Sequence, residues 1–254
     1  MTVIQLLRSA GRGIAYCAGL MAGGYAAYVS TAWLRYGHVQ PPVGDDRDPL
    51  IDRFMPTYEI VERHHVRVVA PADITFAAAR DVDLQQSPII GAIFRARERI
   101  LGSRADETER PPGLLRWAQT LGWRVLAEQP EREVVLGAVT RPWDANVVFR
   151  PVAPEEFARF DEPNYVKIVW TLRADPSGER ESVVRTETRA VATDPIARAK
   201  FRRYWSIFSP GIIVIRRAAL NLVKADAERR VRECSPKSTD RFDLVSAGDL
   251  DPQC

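Results

Sequence analysis

The sequence predicts an α+β domain in which an antiparallel sheet packs on one long C-terminal helix, with an apolar helix ahead of it. Three observations carry this. After Asp194-Pro195, the residues Phe201, Tyr204, Trp205, Phe208, Ile212, Ile215, Ala219 and Leu222 recur three or four positions apart. That spacing is one continuous apolar helical face. Upstream, short segments rich in Val, Ile and Thr alternate with period two, as half-buried strands do. Finally, residues 13–34 contain no charged side chain, and Arg12 and Arg35 bracket them.

Composition bounds the function. A chain of 254 residues with 46% apolar and 27% charged residues can bury an ample core and is not generally disordered. The net charge of +3 is spread among interspersed signs, so no nucleic-acid partner is expected. Three cysteines without a CxxC or Cys/His cluster suggest neither a disulfide scaffold nor a metal site. Cys17 lies in an apolar run. Cys234 and Cys254 lie in a polar tail, where a bridge in an oxidising compartment or two thiols both fit.

Taken in order, residues 1–36 read as an N-terminal membrane anchor, spanning over 13–34. About 20 apolar residues rise about 30 Å as a helix, the thickness of a bilayer's hydrocarbon core. Tyr25, Tyr28 and Trp33 gather at the distal end like an interfacial belt. Gly19 and Gly23 form a GxxxG pattern through which two copies could pair as a homodimer. A cleaved signal peptide and a buried helix are the competing readings. Arg8 and Arg12 on one flank, against Arg35, Arg47 and Arg53 on the other, leave the side of the globular domain open.

Residues 37–56 read as a linker, rich in Pro, Gly and Asp. The domain proper covers 57–230. Its first strand is Tyr58 to Val69, followed by a helix that Asp73 caps. Ser87-Pro88 opens a second helix with a stripe of Ile89, Ile90, Ile93, Phe94, Ile100 and Leu101, and Gly102 stops it. After a charged loop and a short helix from Leu114 to Leu121, strands follow at Trp123–Glu128, Glu133–Thr140 and Asn146–Arg150. A helical turn over 154–160 comes next. Tyr165–Ala174 and Ser182–Thr193 then form a hairpin around Asp175-Pro176-Ser177-Gly178. Asp194 caps the long helix with Pro195 at its first position. Pro210-Gly211 is expected to kink it. Residues 231–254 read as a polar tail.

Four strings carry a family resemblance: VVAPADITFAAARD from Val68, LGAVTRPW from Leu136, FDEPNYVKIVW from Phe160, and TETRAVATD with ARAKFRRYW from Thr186 to Trp205. With this element order, residues 57–230 resemble the START-like (SRPBCC) superfamily, in a bacterial subgroup without established function. The resemblance implies the helix-grip, START/Bet v1-like fold, a curved antiparallel sheet wrapped around a long C-terminal helix. It also implies a cavity for a hydrophobic or lipid-like ligand, and it supplies no catalytic residues.

The candidate site follows from strand parity. Trp170 lies on one face of its strand, and Thr186 and Thr188 on one face of the next. With Tyr204 and Phe208 of the helix they would line a cavity, hydroxyls orienting a mostly apolar ligand. A solid core is the competing reading. Arg185, Glu187 and Arg189 share the opposite strand face as a second, polar candidate. Two flanking cations make Glu187 a weak base, so a salt-bridged, solvated face is expected there. His64 and His65 point to opposite faces and cannot chelate one metal together. Arg198, Lys200, Arg202, Arg203, Arg216, Arg217 and Lys224 form the basic side of the long helix. No metal, cofactor or catalytic residue is expected. The function expected is non-catalytic binding of a hydrophobic small molecule or lipid by a membrane-tethered domain. The alternative is a polyketide cyclase/aromatase-like enzyme on the same scaffold.

Overall fold

The computed structural model describes residues 3–103 and 111–234, with side chains in the first helix described at Tyr16 and from Gly19 onward. The helices are α1 (Val3–Arg35), α2 (Pro49–Asp52), α3 (Ala72–Asp81), α4 (Pro88–Leu101), α5 (Leu114–Thr120), α6 (Pro154–Phe157) and α7 (Pro195–Cys234). The strands are β1 (Ile60–Val68), β2 (Arg124–Gln129), β3 (Glu133–Thr140), β4 (Phe149–Arg150), β5 (Val166–Pro176) and β6 (Ser182–Ala192). The sheet is antiparallel in the order β1-β6-β5-β3-β2, with β4 on β3. One face packs on α7 and α3, which is the helix-grip arrangement.

The caps explain why the helices start where they do. Asp194 Oδ1 accepts from the Ile196 and Ala197 amides at 2.7 and 3.0 Å, ahead of Pro195 at the first turn. Ser87 does the same for α4, and Gly102 ends that helix with φ 69°. Asp73 is not the cap of α3. Pro71 holds that position, and Asp73 sits in the first turn, where a carboxylate suits the helix dipole. Helix α7 runs without a break across Pro210. Its neighbour Gly211 lets α4 close in, since a Cβ there would lie 3.0 Å from Ile93 Cγ2. The helix also continues past Arg230 to Cys234, supported by the Arg229–Glu233 and Asp226–Arg230 pairs. The remaining tail, with Cys254, lies outside the described residues.

Among the described residues, α7 is the helix long and apolar enough to cross a membrane by length and composition. Its buried Phe201, Trp205, Leu220, Val223 and Ala227 pack in the core clusters of the grip, which makes it a core helix. The charge-free N-terminal run is helical as expected, yet its distal part does not face lipid all round. Tyr25 Oη donates to the Ile207 carbonyl at 2.6 Å, and Tyr28 Oη lies 3.1 Å from Ser209 Oγ. Arg202 donates to the Trp33 carbonyl at 2.7 Å and lies 4.2 Å from the centre of the Trp33 ring. Arg198 pairs with Glu59 at 2.7 Å. Part of the basic side of α7 therefore docks α1 and the residue ahead of β1 instead of facing solvent. Tyr36, placed at the end of the anchor by sequence, is core: it packs edge-on to Phe201 at 6.0 Å.

The stretch expected as a linker is also packed. Asp48 caps α2 through the Leu50 and Ile51 amides, with Pro49 behind it. Ile51, Phe54 and Met55 are buried with Leu126, Val135, Val139, Val152, Phe157 and Val169. These residues cover the sheet face away from α7. The spacing of Leu50, Ile51, Phe54 and Met55 is itself helical, and that signal was outweighed by the prolines and aspartates around it.

Candidate functional site

Register builds the site. Glu62 pairs with Thr188, and His64 with Thr186, across β1 and β6; Trp170 of β5 pairs with Thr188. Period two puts all five on the face that meets α7. On either side of them the interface is apolar. Val66, Val68 and Val184 pack in one cluster with Leu220 and Val223. Ile60 and Ala190 pack in another with Phe201 and Trp205. A polar layer thus separates two apolar clusters along the grip.

Helix α7 adds Arg216 to that layer. Its Nη1 donates to Thr186 Oγ1 at 3.2 Å. Arg216 is half-buried with its Nε enclosed, and burial pulls its pKa down to about 10 despite the opposing charge of Glu62. Arg216 Nε, Thr188 Oγ1 and His64 Nε2 are all enclosed without a hydrogen-bond partner. His64 Nε2 lies 3.3 Å from Glu62 Oε2, within ion-pair reach but not aligned as a hydrogen bond. Buried polar atoms are normally satisfied; the other enclosed atoms without a hydrogen-bond partner among the described residues, Arg63 Nε, Arg189 Nη2 and Glu133 Oε1, belong to the opposite sheet face. A hollow of about 370 Å³, lined by Arg63, His64, His65, Val66, Arg217, Leu220 and Asn221, opens beside His64 where edge strand β1 meets α7.

The five residues expected to line a cavity divide into two groups. Trp170, Thr186 and Thr188 are buried on the α7 side; Trp170 meets Trp123 edge-on at 6.0 Å. Tyr204 and Phe208 stack at 4.9 Å, and Arg97 Nε donates to Tyr204 Oη at 3.4 Å. This aromatic pair sits two to three turns N-terminal of Arg216, about 12–18 Å along the helix. Glu62, His64 and Arg216 were not foreseen. Glu62 and His64 share strand parity with the core residues Val66 and Val68. Arg216 stands four and seven residues before Leu220 and Val223, so its helical position was inward although its charge suggested solvent.

The second candidate, Arg185, Glu187 and Arg189, lies on the opposite face and is not solvated. The segment from Asp45 to Tyr58 covers it. Arg189 is 0% exposed, bonded to Asp52 Oδ1 at 2.5 Å, Glu187 Oε1 at 2.7 Å and the Met55 carbonyl at 2.8 Å, with its guanidinium 4.6 Å from the centre of the Tyr58 ring. Burial lowers its pKa, but Glu187 and Asp52 outweigh that and the net direction is up. Arg63 adds a further bond to Glu187 at 3.1 Å. Arg185 reaches Asp175 at 3.0 Å and Asp46 at 3.3 Å. With every charge paired, this cluster ties the 45–58 segment to the sheet and leaves no free nucleophile or base. Among the described residues no group of three or more His, Cys, Asp or Glu could hold a metal ion.

No family model matches the chain, and no curated protein matches it. Several solved structures are similar. Norcoclaurine synthase from Thalictrum flavum, in complex with dopamine and hydroxybenzaldehyde, is 13% identical over 78% of this chain and 100% of its own, with a TM-score of 0.32. An aromatase/cyclase from Streptomyces sp. R1128 is 14% identical over 69% and 98% respectively, with a TM-score of 0.29. A di-domain aromatase/cyclase from the BE-7585A biosynthetic pathway is 18% identical over 66% of this chain, with a TM-score of 0.29, and the chain spans 46% of its length. Likenesses this distant say nothing about activity. What the chain's own geometry establishes is the helix-grip fold, a sheet of order β1-β6-β5-β3-β2 closed over α7 around a polar layer.

Proposed function

We propose that this domain binds a hydrophobic or lipid-like small molecule between the sheet and α7. The observation that carries the reading is the polar layer: Thr188 Oγ1, His64 Nε2 and Arg216 Nε are enclosed, have no hydrogen-bond partner and are flanked by apolar clusters on both sides. An apolar enclosure with a few convergent polar groups is the usual form of a small-molecule site. Native mass spectrometry of the full-length protein, followed by organic extraction, is expected to release a copurifying amphiphile. A protein that flies as the bare chain and also fails to take up a neutral fluorescent amphiphile would refute the reading.

A second reading is supported by His64 and Glu62. A buried imidazole beside a carboxylate, on the ligand-facing side, is the arrangement that acid–base chemistry of a cyclase/aromatase kind needs. His64→Gln leaving ligand uptake intact while abolishing turnover of a bound ligand would favour the enzyme.

We further infer that α1 tethers the domain to a membrane. Tyr16, Leu20 and Met21 are more than 70% exposed, and Gly19, Gly23 and Gly24 face open space, as a lipid-facing or self-pairing surface would. Because Tyr25, Tyr28 and Trp33 engage α7, the charge-free stretch of the sequence ahead of them is 13–24. At 1.5 Å per residue that is about 18 Å, the depth of one leaflet and not a whole bilayer core. Deleting residues 1–24 is expected to move the protein from the membrane fraction to the soluble fraction with its melting temperature unchanged. Full-length protein that is already soluble would overturn the tether.

A further inference from the structure

We infer that the ligand carries an anionic head group, a carboxylate or a phosphate ester, held by Arg216 at the centre of the grip. The inference rests on the binding reading above and names the chemistry of what is bound.

A guanidinium presents five N–H donors in a planar fork. Arg216 is half-buried; its Nη1 bonds the hydroxyl of Thr186 at 3.2 Å, and its enclosed Nε has no acceptor. A neutral hydroxyl is a poor sole counterpart for a cation taken out of water. The charge that opposes it, Glu62, lies 3.3 Å from His64. Thr188 Oγ1, on the same sheet face two residues along, is an enclosed hydroxyl with its own hydrogen-bonding capacity unspent. Together they match an oxyanion: the Nε/Nη fork takes one or two oxygens, and the Thr188 hydroxyl donates to another. Trp170, paired with Thr188 across β5 and β6, is the apolar neighbour of that position. The hollow of about 370 Å³ at the edge of β1 shares His64, the strand partner of Thr186, with the layer. The competing assignment is a purely structural cation balanced by Glu62.

Titration calorimetry on the full-length protein separates these. The probes are decanoate, decyl phosphate, decanol and inorganic phosphate. At least one of the two anionic amphiphiles is expected to bind about tenfold or more tightly than decanol, the scale of one charge-assisted hydrogen bond. In Arg216→Met, which keeps the apolar stem, that preference is expected to fall to about one while decanol binding persists, with a melting temperature no lower than the parent's. Arg216→Gln, a second neutral variant, is expected to behave the same way. If decanol binds the parent as tightly as both anionic probes, the head-group inference is wrong and the binding reading stands. If none of the three amphiphiles binds, the binding reading itself fails. Inorganic phosphate binding as tightly as decyl phosphate would mean the site takes a free anion and would overturn the amphiphile. Variants that melt well below the parent would make Arg216 a structural cation and overturn the inference.

Discussion

Arg189→Ala is expected to destabilise the domain by about 3–5 kcal/mol, the usual cost of leaving a buried ion pair with one partner. Arg189 is 0% exposed and joins Asp52, Glu187 and the Met55 carbonyl across two layers. Its loss strands Glu187, which is 6% exposed, with only Arg63 as counter-charge. It also removes the cation that holds α2 and the residues after it against the sheet. Equilibrium urea unfolding of parent and variant measures the loss. Limited trypsin digestion reads the local effect, because Arg53 is exposed and lies on the released segment. A stability change below about 1 kcal/mol, the range of a surface pair, would show that water reaches this cluster and that the pairing is incidental.

Stability is expected to fall as pH rises from the ordinary glutamate range to about 8, because of Glu133. This carboxyl is 4% exposed at the start of β3. Burial pushes its pKa up to about 8, a hydrogen bond to Asp48 and the charge of Asp48 add to that, Asp175 adds a little, and Arg173 opposes. The folded protein therefore keeps a proton that the unfolded chain releases at a pH near 4.5. Its contribution is fully present below that pH and is lost by the time the pH passes about 8. With solvent screening allowed for, the change is on the order of 2–3 kcal/mol. Glu133→Gln holds the neutral form permanently and should flatten the curve between pH 5 and 9, as read by thermal melts across that range. A variant with the same slope as the parent would place the titrating group elsewhere.

Both effects arise where a segment expected as a linker packs as a wall against the sheet. Local chemistry could be read without a structure. Ser87, Pro88, Asp194, Pro195 and Gly102 mark helix ends because capping and fixed φ act within a few residues. The alternation in 182–192 put Thr186 and Thr188 opposite Arg185, Glu187 and Arg189 because side chains on a strand must alternate, and the register bears this out.

What each face meets was decided only by the tertiary structure. Charge suggested that Arg185, Glu187 and Arg189 face water, yet α2 and its flanks deliver Asp45, Asp46, Asp52 and the Met55 carbonyl to them. Charge likewise put Arg216 on the solvent side of α7, although its place in the helical period is inward. Tyr25, Tyr28 and Trp33 resembled a membrane belt and instead dock on α7. In each case the sequence determined the side chain's direction from its own element. Whether that direction led to water, lipid or a counter-ion depended on segments tens to more than a hundred residues away in the chain, and no local period carries that information.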